Sequence, residues 1–333
     1  MPHRRRSAWR RDRHVRSDNS RRAAGWPVAA GLAAGTVLDA LLADPRRGHP
    51  VAAFGRAAGA IEARGYAATK ARGGLYTASC LLAAAAPAVV AHHLTRGRPA
   101  LRLAAIAAAS WSVLGAASLA TEAERLARAL ESGNVAVARA RLPSLCGRDP
   151  ARLDAAGLAR AAVESVAENT CDAVVAPLLW GSAAGLTGLI AYRAVNTLDA
   201  MVGHRSSRYL EFGWAAARLD DVANAAPARL TGLLAAACSP TVRGNPGAAL
   251  GAMRTFGGRH PSPNAGYCES AFAGALGVQL GGTNVYEGVV EDRPRLGDGR
   301  APGAEDIRRA VRLSRAVTWA AAAFAVVVAA RWP

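Results

Sequence analysis

Long apolar runs constrain this 333-residue chain more than any other feature of its sequence. A helix needs about 20 apolar residues to cross the hydrocarbon core of a bilayer. Four runs without Asp, Glu, Lys or Arg approach that length, and two weaker candidates accompany them. They are 74–94, 103–120, 173–191 and 316–330, then 23–42 and 230–239. We therefore predict a mainly α, polytopic integral membrane protein with five or six apolar segments; buried helices of an alanine-rich soluble protein are the alternative.

The composition excludes three other classes of protein. A disordered chain does not reach a hydrophobic content of 51% with a positive mean hydropathy of +0.10. A Walker A phosphate loop requires Gly-Lys followed by Ser or Thr, and the single lysine, Lys70, is followed by Ala71. A disulfide scaffold is excluded because the five cysteines are odd in number and widely spaced, with no CxxC pair.

A basic tail precedes the first apolar run. Residues 1–22 contain nine arginines against two aspartates and so carry +7 of the formal net charge of +17. The tail lacks an aromatic-interleaved platform and zinc-ligand spacing, which argues against nucleic acid as a partner. A basic flank before an apolar run is typical of the cytoplasmic end of a membrane helix. We predict a disordered tail over 1–22 and a single membrane-integrated helical domain over 23–333.

Polar stretches separate the apolar runs, and they show no alternating pattern typical of strands. They are a helical loop at 121–172, a motif-rich region at 192–229 and a Gly- and Pro-rich loop at 241–312. We predict that the first of these is a set of short helices.

Local signals place those short helices. A capping box at 121–124 predicts a helix start, and Gly133 predicts its end. A second short helix is predicted over 135–142. The Asp-Pro pair at 149–150 supplies an N-cap and a first helical residue for a helix that reaches about Asn169.

Three acidic residues repeat at helical spacing beside the run 173–191. Glu164, Glu168 and Asp172 stand at i, i+4 and i+8, so they share one helix face. Like charges at this spacing repel, and a metal ion or a cationic partner would relieve the repulsion. A solvated helix face is the alternative, but the position against an apolar run favours a functional site that includes the adjacent Asn169.

A second polar block follows the same apolar run. Arg193, Asn196 and Asp199 repeat at i, i+3 and i+6 and again share a helix face. Further candidates follow them: Arg205, Arg208, Arg218, Asp220, Asp221 and Asn224. Guanidinium groups suit phosphate and carboxylate, and acidic and amide oxygens suit Mg²⁺. The block predicts a nucleotide-phosphate site without a P-loop, and a structural salt-bridge network is the alternative.

A third block lies near the carboxyl end of the chain. The segment HPSPNAGYCES (260–270) surrounds His260 and Asn264 with two prolines and a glycine, which predicts a tight loop. Glu269 then starts an apolar helix, and the segment GGTNVY (281–286) predicts a second turn. His260 is a weak acid/base candidate, because a histidine before proline is more often an ordinary loop residue.

Four sequence blocks are long and unusual enough to be specific. They are GHPVAAFGR (48–56), ESVAENTCDAVVAPLLW (164–180), AYRAVNTLDAMVGHRSSRYLEFGWAAARLDDVANAAPARLTGLL (191–234) and HPSPNAGYCESAFAGALGVQLGGTNVYEG (260–288). Together they closely resemble the CbiB/CobD family of cobalamin biosynthesis, the adenosylcobinamide-phosphate synthases. The resemblance covers about residues 30–320 and excludes the basic tail. Cys171 and Ala173 stand where the family's pattern has Ser and Gly, which puts a direct role for residue 171 in doubt.

The resemblance implies an integral membrane ligase of the corrin pathway. Such enzymes join (R)-1-aminopropan-2-ol, or its O-phosphate, to the free propionate of adenosylcobyric acid in an ATP-dependent reaction. Because a carboxylate is a poor acyl donor, we expect ATP to convert it to an acyl phosphate that the amine attacks. This chemistry calls for Mg²⁺ beside the phosphates, cationic groups on the transferring phosphoryl group and a base for the amine.

The candidate residues divide among these roles. Those expected to act as acids or bases are Glu164, Glu168, Asp172 and, more weakly, His260. Those expected to bind substrate or phosphate are Asn169, Arg193, Asn196, Arg205, Arg218 and Asn264. Those expected to hold Mg²⁺ are Asp199, Asp220 and Asp221.

The apolar run 173–191 determines the topology of such a site. A single site that uses ATP and a corrinoid needs the polar blocks on both sides of this run to face the cytoplasm. The run contains Pro177, Gly181, Gly185 and Gly188, which favour a broken path covered by protein. We therefore predict that it does not fully cross the membrane, in a multi-pass protein of the inner membrane whose site faces the cytoplasm.

Two other functions stay open as alternatives. A transporter for a corrinoid or an anionic small molecule should carry ionisable residues inside its spans and show related halves. Here the polar blocks lie mostly beside the spans, and the sequence has no internal repeat. A scaffold for other enzymes of the corrin pathway would tolerate neutral substitutions at the acidic and arginine positions. We favour the ligase, with the corrinoid, the amine, ATP and the lipid bilayer as partners and other enzymes of the corrin pathway as further candidate partners.

Overall fold

Helices form most of the protein in the computed structural model, which describes residues 25–45, 48–286 and 289–331. The basic tail therefore lies outside the described residues. The helices are α1 (Gly25–Leu42), α2 (Pro50–Gly65), α3 (Lys70–Leu94), α4 (Pro99–Val113), α5 (Ala116–Glu131), α6 (Val135–Arg141), α7 (Ala155–Thr170), α8 (Ala176–Val202), α9 (Trp214–Ala223), α10 (Ala225–Cys238), α11 (Pro246–Phe256), α12 (Ala265–Leu276) and α13 (Ala304–Arg331). Two strands, β1 (Leu280–Tyr286) and β2 (Val289–Leu296), precede α13.

Five helical stretches of the described chain are long and apolar enough to cross a bilayer. They are α1, α3, the bent pair α4–α5, the continuous stretch α7–α8 and α13. The prediction of a mainly α, polytopic membrane protein is confirmed, with five rather than six such stretches. All but the last residue of the predicted run 230–239 lies in α10, whose 14 residues are too few to cross.

The stretch from α7 through α8 turns back on itself. A π-helical turn, Cys171–Val175, joins α7 to α8. Ala184 and Gly185 then leave helical geometry, with φ of −135° and +57°. A β-carbon added at Gly188 would lie 2.1 Å from the Trp180 carbonyl oxygen, so the limbs before and after the turn are in contact. The predicted broken path of this apolar run is confirmed.

Alanine-rich helices pack closely to form the core. α13 packs on α5, α7 and α8, and α10, α11 and α12 pack on one another. Leu126, Leu158, Leu189 and Phe272 belong to one buried apolar cluster that joins these helices. A smaller cluster around Phe212 joins α2, α3 and the end of α8 and fixes the loop that follows α8.

The helix α5 begins earlier than predicted. It starts at Ala116 after Gly115, so Thr121 lies inside the helix, where its hydroxyl donates to the Ala117 carbonyl at 2.8 Å. The prediction of a capping box is therefore wrong, because the apolar residues before Thr121 are already helical. The predicted end is confirmed, since α5 stops two residues before Gly133, and α6 matches the predicted short helix.

The helix α7 begins later than predicted. Its N-cap is Asp154, whose Oδ1 accepts from the Gly157 amide at 2.7 Å. Asp149 instead closes a local turn, in which its Oδ1 accepts from the Ala151 amide at 2.9 Å. Both sites carry an aspartate that can cap, and the local sequence alone does not distinguish between them.

A two-stranded antiparallel hairpin stands where a turn was predicted. Thr283 of β1 pairs with Asp292 of β2, and the register shifts between Leu280 and Gly282. Gly281 and Gly282 have φ of +78° and +84° at this bulge. Glycine weakens the strand signal in the sequence, which is why the strand was missed. The hairpin lies against α7 and walls one side of a polar region.

Candidate active site

The helical hairpin of residues 171–202 brings two of the predicted polar blocks together. Asn196 Nδ2 donates to Asp172 Oδ2 at 3.3 Å and lies 3.4 Å from Asp220 Oδ1 on α9. Arg193 Nη1 donates to Asn196 Oδ1 at 3.3 Å and so orients the amide. One amide nitrogen therefore holds two half-buried carboxylates side by side, where their charges repel more strongly than they would in open water.

Asp220 accepts hydrogen bonds on both of its carboxylate oxygens. Asn224 Nδ2 donates to Asp220 Oδ2 at 2.9 Å, and the Tyr192 hydroxyl donates to Asn224 Oδ1 at 2.8 Å. Burial raises the pKa of Asp220, and this outweighs the opposing bonds from Asn224 and Asn196. Asp220 is thus held in place, and its ionised form is costly. A nearby cation would stabilise that ionised form.

Glu164 is buried and bound from three sides. Arg148 Nη2 donates to its Oε2, Arg160 Nε lies 4.0 Å from its Oε1, and the Gly281 amide donates to Oε1 at 2.7 Å. Arg160 also donates to the carbonyl oxygens of Gly281 and Thr283. Glu164 therefore anchors the β-hairpin to α7, which gives this predicted acid/base residue a structural use.

Glu168 is the member of the acidic stripe with an exposed side chain. Its charge interacts with Arg293 on β2, with Asp220 on α9 and with Glu164 one turn earlier. Asp172 in turn interacts with Glu168. The structure therefore keeps the three acids of the stripe close enough to interact, each with a different cationic or amide partner.

His260 and Glu269 form a buried pair beside the stripe. His260 Nδ1 accepts from the Ser262 amide at 3.0 Å. Its Nε2 lies 3.9 Å from Glu269 Oε1 and 3.5 Å from Arg293 Nη1. Burial raises the pKa of Glu269 well above its usual value, and the charge of Glu164 raises it further. Glu269 lies in the second turn of α12, not at its start as predicted.

Other predicted residues line the edge of this region. Asn264 is buried and donates to the Asp221 carbonyl at 2.8 Å, while its own amide oxygen lies 3.4 Å from Arg229 Nη1. Arg218 pairs with the Asp221 carboxylate at 3.2 Å. The charge of Asp199 interacts with those of Asp220 and Asp221. These contacts connect α9 to the loop before α12.

Two predicted residues are not brought into the cluster. Asn169 donates to the Ser165 carbonyl at 2.9 Å and to its hydroxyl at 3.1 Å, both on its own helix. Arg205 is exposed in the loop after α8 and makes no hydrogen bond or ion pair with any residue that the structure describes.

Cys171 is buried against α10 and α12.

A magnesium ion fits the central donor set. Within the described parts of the chain, no three His, Cys, Asp or Glu side chains converge to form a complete metal site. However, Mg²⁺ usually keeps several waters and takes one or two carboxylates together with substrate phosphates. Asp172 and Asp220, held at one amide nitrogen, supply such a pair. Asp199 and Asp221 lie at their edge.

Comparison with known sequences identifies the family. The sequence model of the CobD/Cbib protein family matches residues 32–314. The chain belongs to the CobD/Cbib family. This agrees with the resemblance carried by the four sequence blocks, and it covers every residue of the site described above.

Curated CobD/Cbib relatives are similar along most of their length. The Cobalamin biosynthesis protein CobD of Mycobacterium tuberculosis is 50% identical over 303 residues, which cover 91% of this chain and 96% of the relative. The protein of the same name from Chromobacterium violaceum is 42% identical, over 88% and 94% of the two chains. That of Geobacter metallireducens is 44% identical, over 80% and 85%. No solved structure matches the chain.

Arg148, Glu269 and Arg293 are among the side chains of this CobD/Cbib site that were missed from the sequence. Glu269 carried a usable signal, because it is an acid inside an otherwise apolar helix. The two arginines carried none, since arginine occurs in nearly every loop of the chain.

Proposed function

We propose that the chain is an ATP-dependent amide ligase that joins (R)-1-aminopropan-2-ol, or its O-phosphate, to the free propionate of adenosylcobyric acid. Membership of the CobD/Cbib family supports a role in cobalamin biosynthesis. The chemistry of the site supports the reaction itself.

The observation that carries the proposal is the pair of carboxylates, Asp172 and Asp220, that Asn196 holds beside Arg193. Crowded carboxylates suit a cation bound to phosphate. The buried Arg193 Nε has no hydrogen-bond partner among the described residues. A guanidinium with a donor to spare suits a propionate or a phosphate. Amide formation from a carboxylate requires both kinds of group.

The proposed reaction has two steps. A propionate oxygen attacks the γ-phosphorus of ATP, which forms an acyl phosphate and releases ADP. The amine nitrogen then attacks the acyl carbon, inorganic phosphate leaves, and a base takes the proton that the nitrogen loses.

The residues of the site would divide this work. Asp172 and Asp220 would hold Mg²⁺, which neutralises phosphate charge when it is bound. Arg193 would orient the propionate. Glu168, with its exposed carboxylate, would take the amine proton. His260 is the weaker candidate for this role, because its ring is buried and its Nδ1 is occupied.

We also propose that the site faces the cytoplasm in a multi-pass protein of the inner membrane. ATP is available in the cytoplasm, and the five apolar stretches support insertion into a bilayer. The reversal at Ala184 and Gly185 allows both polar blocks to face one compartment.

An assay on membranes from expressing cells tests the ligase. Adenosylcobyric acid and Mg-ATP are supplied with either aminopropanol or its phosphate, and corrinoid products are followed by mass. We expect a product heavier than the corrinoid by the amine minus one water, formed only with ATP, and the preferred amine identifies the second substrate. E168Q should slow the reaction by about a hundredfold. The control is R128Q, which replaces an exposed arginine on α5 and should leave the rate unchanged.

Two outcomes would overturn parts of this proposal. Absence of product with demonstrably folded protein rejects the ligase, and corrinoid uptake into vesicles without chemical change would then identify a transporter. Full turnover by E168Q would remove Glu168 as the base while leaving the ligase in place.

A further inference from the structure

A cavity of about 1000 Å³ lies between the amino-terminal part of α7 and the β-hairpin. Its charged lining consists of four arginines and two aspartates. They are Arg152, Arg160, Arg293, Arg295, Asp154 and Asp292. None of the six was predicted from the sequence as a site residue, and the lining carries a net charge of +2.

The two aspartates of the cavity are already engaged. Asp154 Oδ1 accepts from a backbone amide at 2.7 Å, and Asp292 Oδ1 accepts from a threonine hydroxyl at 3.2 Å. Arg152 and Arg295 are exposed, and neither has a hydrogen bond or an ion pair with the residues that the structure describes. The cavity therefore presents guanidinium groups that its own acids do not neutralise.

The other two arginines connect the cavity to the acidic cluster. Arg160 reaches Glu164 on one side and the carbonyl oxygens of β1 on the other. Arg293 interacts with Glu168 and lies 3.5 Å from His260 Nε2. An anion in the cavity would thus lie beside Glu168, to which we have assigned the amine proton.

We propose that this cavity binds the phosphate groups of a substrate, and that the substrate is a nucleoside triphosphate. A guanidinium fork matches phosphate oxygens in a bidentate geometry. A single propionate would engage only one or two of the four arginines, whereas a triphosphate presents oxygens to all of them. A phosphorylated amino alcohol has one phosphate group and would leave most of the volume empty. The proposal rests on the ligase function, which supplies the nucleotide.

The orientation of the nucleotide follows from the two ends of the cavity. Arg293 is the lining residue that interacts with Glu168, so the terminal phosphate would lie at this end. Arg152 stands before α7, away from the acidic cluster, and would contact the inner phosphates. The γ-phosphorus would then be next to Glu168, whose charge also interacts with that of Asp220.

Equilibrium dialysis of radiolabelled ATP with Mg²⁺ against the purified full chain in detergent tests the site. The test variant is R152Q/R295Q, which removes two exposed side chains that make no described contacts, and the matched control is R128Q. We expect the affinity for ATP to fall about tenfold or more in the test variant and to stay unchanged in the control. Unlabelled tripolyphosphate should displace ATP, and adenosine should not.

Each contrary outcome identifies what fails. Unchanged ATP binding in R152Q/R295Q, or no ATP binding by the wild type, overturns the cavity assignment. If the test variant instead loses binding of labelled aminopropanol phosphate, the cavity holds phosphate but the nucleotide assignment is wrong. If R152Q/R295Q loses ATP binding but the wild type forms no corrinoid amide, the ligase is rejected and the site is retained. Amide formation with an unchanged KM for ATP in R152Q/R295Q rejects the site and retains the ligase.

Discussion

Asn196 Nδ2 lies 3.3 Å from Asp172 Oδ2, although 24 residues separate them along the chain. Both stand about 12 residues from Ala184, where the helix reverses. A limb of that length rises only about 18 Å, which is less than the hydrocarbon thickness of about 30 Å. In a straight helix the two residues would lie about 36 Å apart. The short contact is therefore a direct consequence of the reversal.

The first prediction concerns the reversal itself. Gly185 has φ of +57° and ψ of −138°, a region that is essentially restricted to glycine. G185A should therefore destabilise the protein by about 1–3 kcal/mol and lower Tm in detergent. Gly251 of α11 provides the control. A β-carbon added there would meet no atom within 4 Å, so G251A should preserve Tm or raise it slightly. Equal Tm for G185A and the wild type would contradict the strained turn.

The second prediction concerns the sides of the membrane on which the polar blocks lie. The test uses a protein without its five native cysteines, in which a single cysteine replaces either Glu168 or Arg205. Both cysteines should react with an impermeant maleimide from the same side of sealed vesicles. The side is the same because the hairpin between them enters and leaves at one end of the bundle. Labelling from opposite sides would show a complete crossing and would end the single-site arrangement.

The third prediction separates two adjacent acids. Asp220 is held between Asn196 and Asn224 at the centre of the site, whereas Asp221 pairs with Arg218 at its edge. D220N should reduce kcat by about a hundredfold or more and raise the Mg²⁺ concentration needed for half activity. D221N should cost less than about tenfold. Equal losses in the two variants would contradict the central position of Asp220 in the proposed reaction.

The fourth prediction concerns the buried ion pair that anchors the β-hairpin. R148Q leaves the Glu164 carboxylate buried with less compensation, so it should destabilise the protein by about 3–5 kcal/mol. The double variant R148Q/E164Q removes that charge and should recover part of the loss. Denaturant unfolding in detergent measures both. A double variant less stable than R148Q would show that the Glu164 bond to the Gly281 amide matters more than the ion pair.

The fifth prediction concerns pH. Because burial raises the pKa of Glu269, the folded protein binds this proton more tightly than the unfolded chain. The resulting stability is fully present below the unfolded pKa of about 4.3 and is lost as the pH rises through the folded pKa. E269Q carries no such group, so the Tm of E269Q should rise relative to that of the wild type as the pH increases.

A Tm series from acidic to alkaline pH checks this difference. The matched control is E211Q, which removes an exposed glutamate 3.8 Å from Lys70. Its Tm should follow the wild type at every pH. A difference between E269Q and the wild type that stays constant with pH would show that Glu269 does not ionise within the range.

Local patterns in the sequence predicted the features that depend on neighbours along the chain. The spacing of Glu164, Glu168 and Asp172 predicted a shared face, and these acids interact in the structure. The glycines of the apolar run predicted a broken path, and the break occurs at Gly185. Both follow from helical geometry and from backbone freedom, which a short window of sequence contains.

Features that depend on distant segments could not be predicted in this way. The Gly281 amide binds Glu164 across 117 residues of chain, and no local signal links the two. The sequence also does not show which basic residue pairs with each acid, because the 41 basic residues place a candidate in nearly every loop. Arg148 and Arg293 differ from the others only in where the fold places them.

The reversal at Ala184 and Gly185 also bears on how the chain enters a bilayer during synthesis. Carrying a charged side chain through hydrocarbon is costly. In a straight span, the segment that holds Arg193 and Asp199 would have to be translocated to the far side. A hairpin that enters and leaves through one face translocates neither of them, nor Asp172. The loop after α8, which carries Arg205 and Arg208, can therefore stay on the side where the ribosome made it.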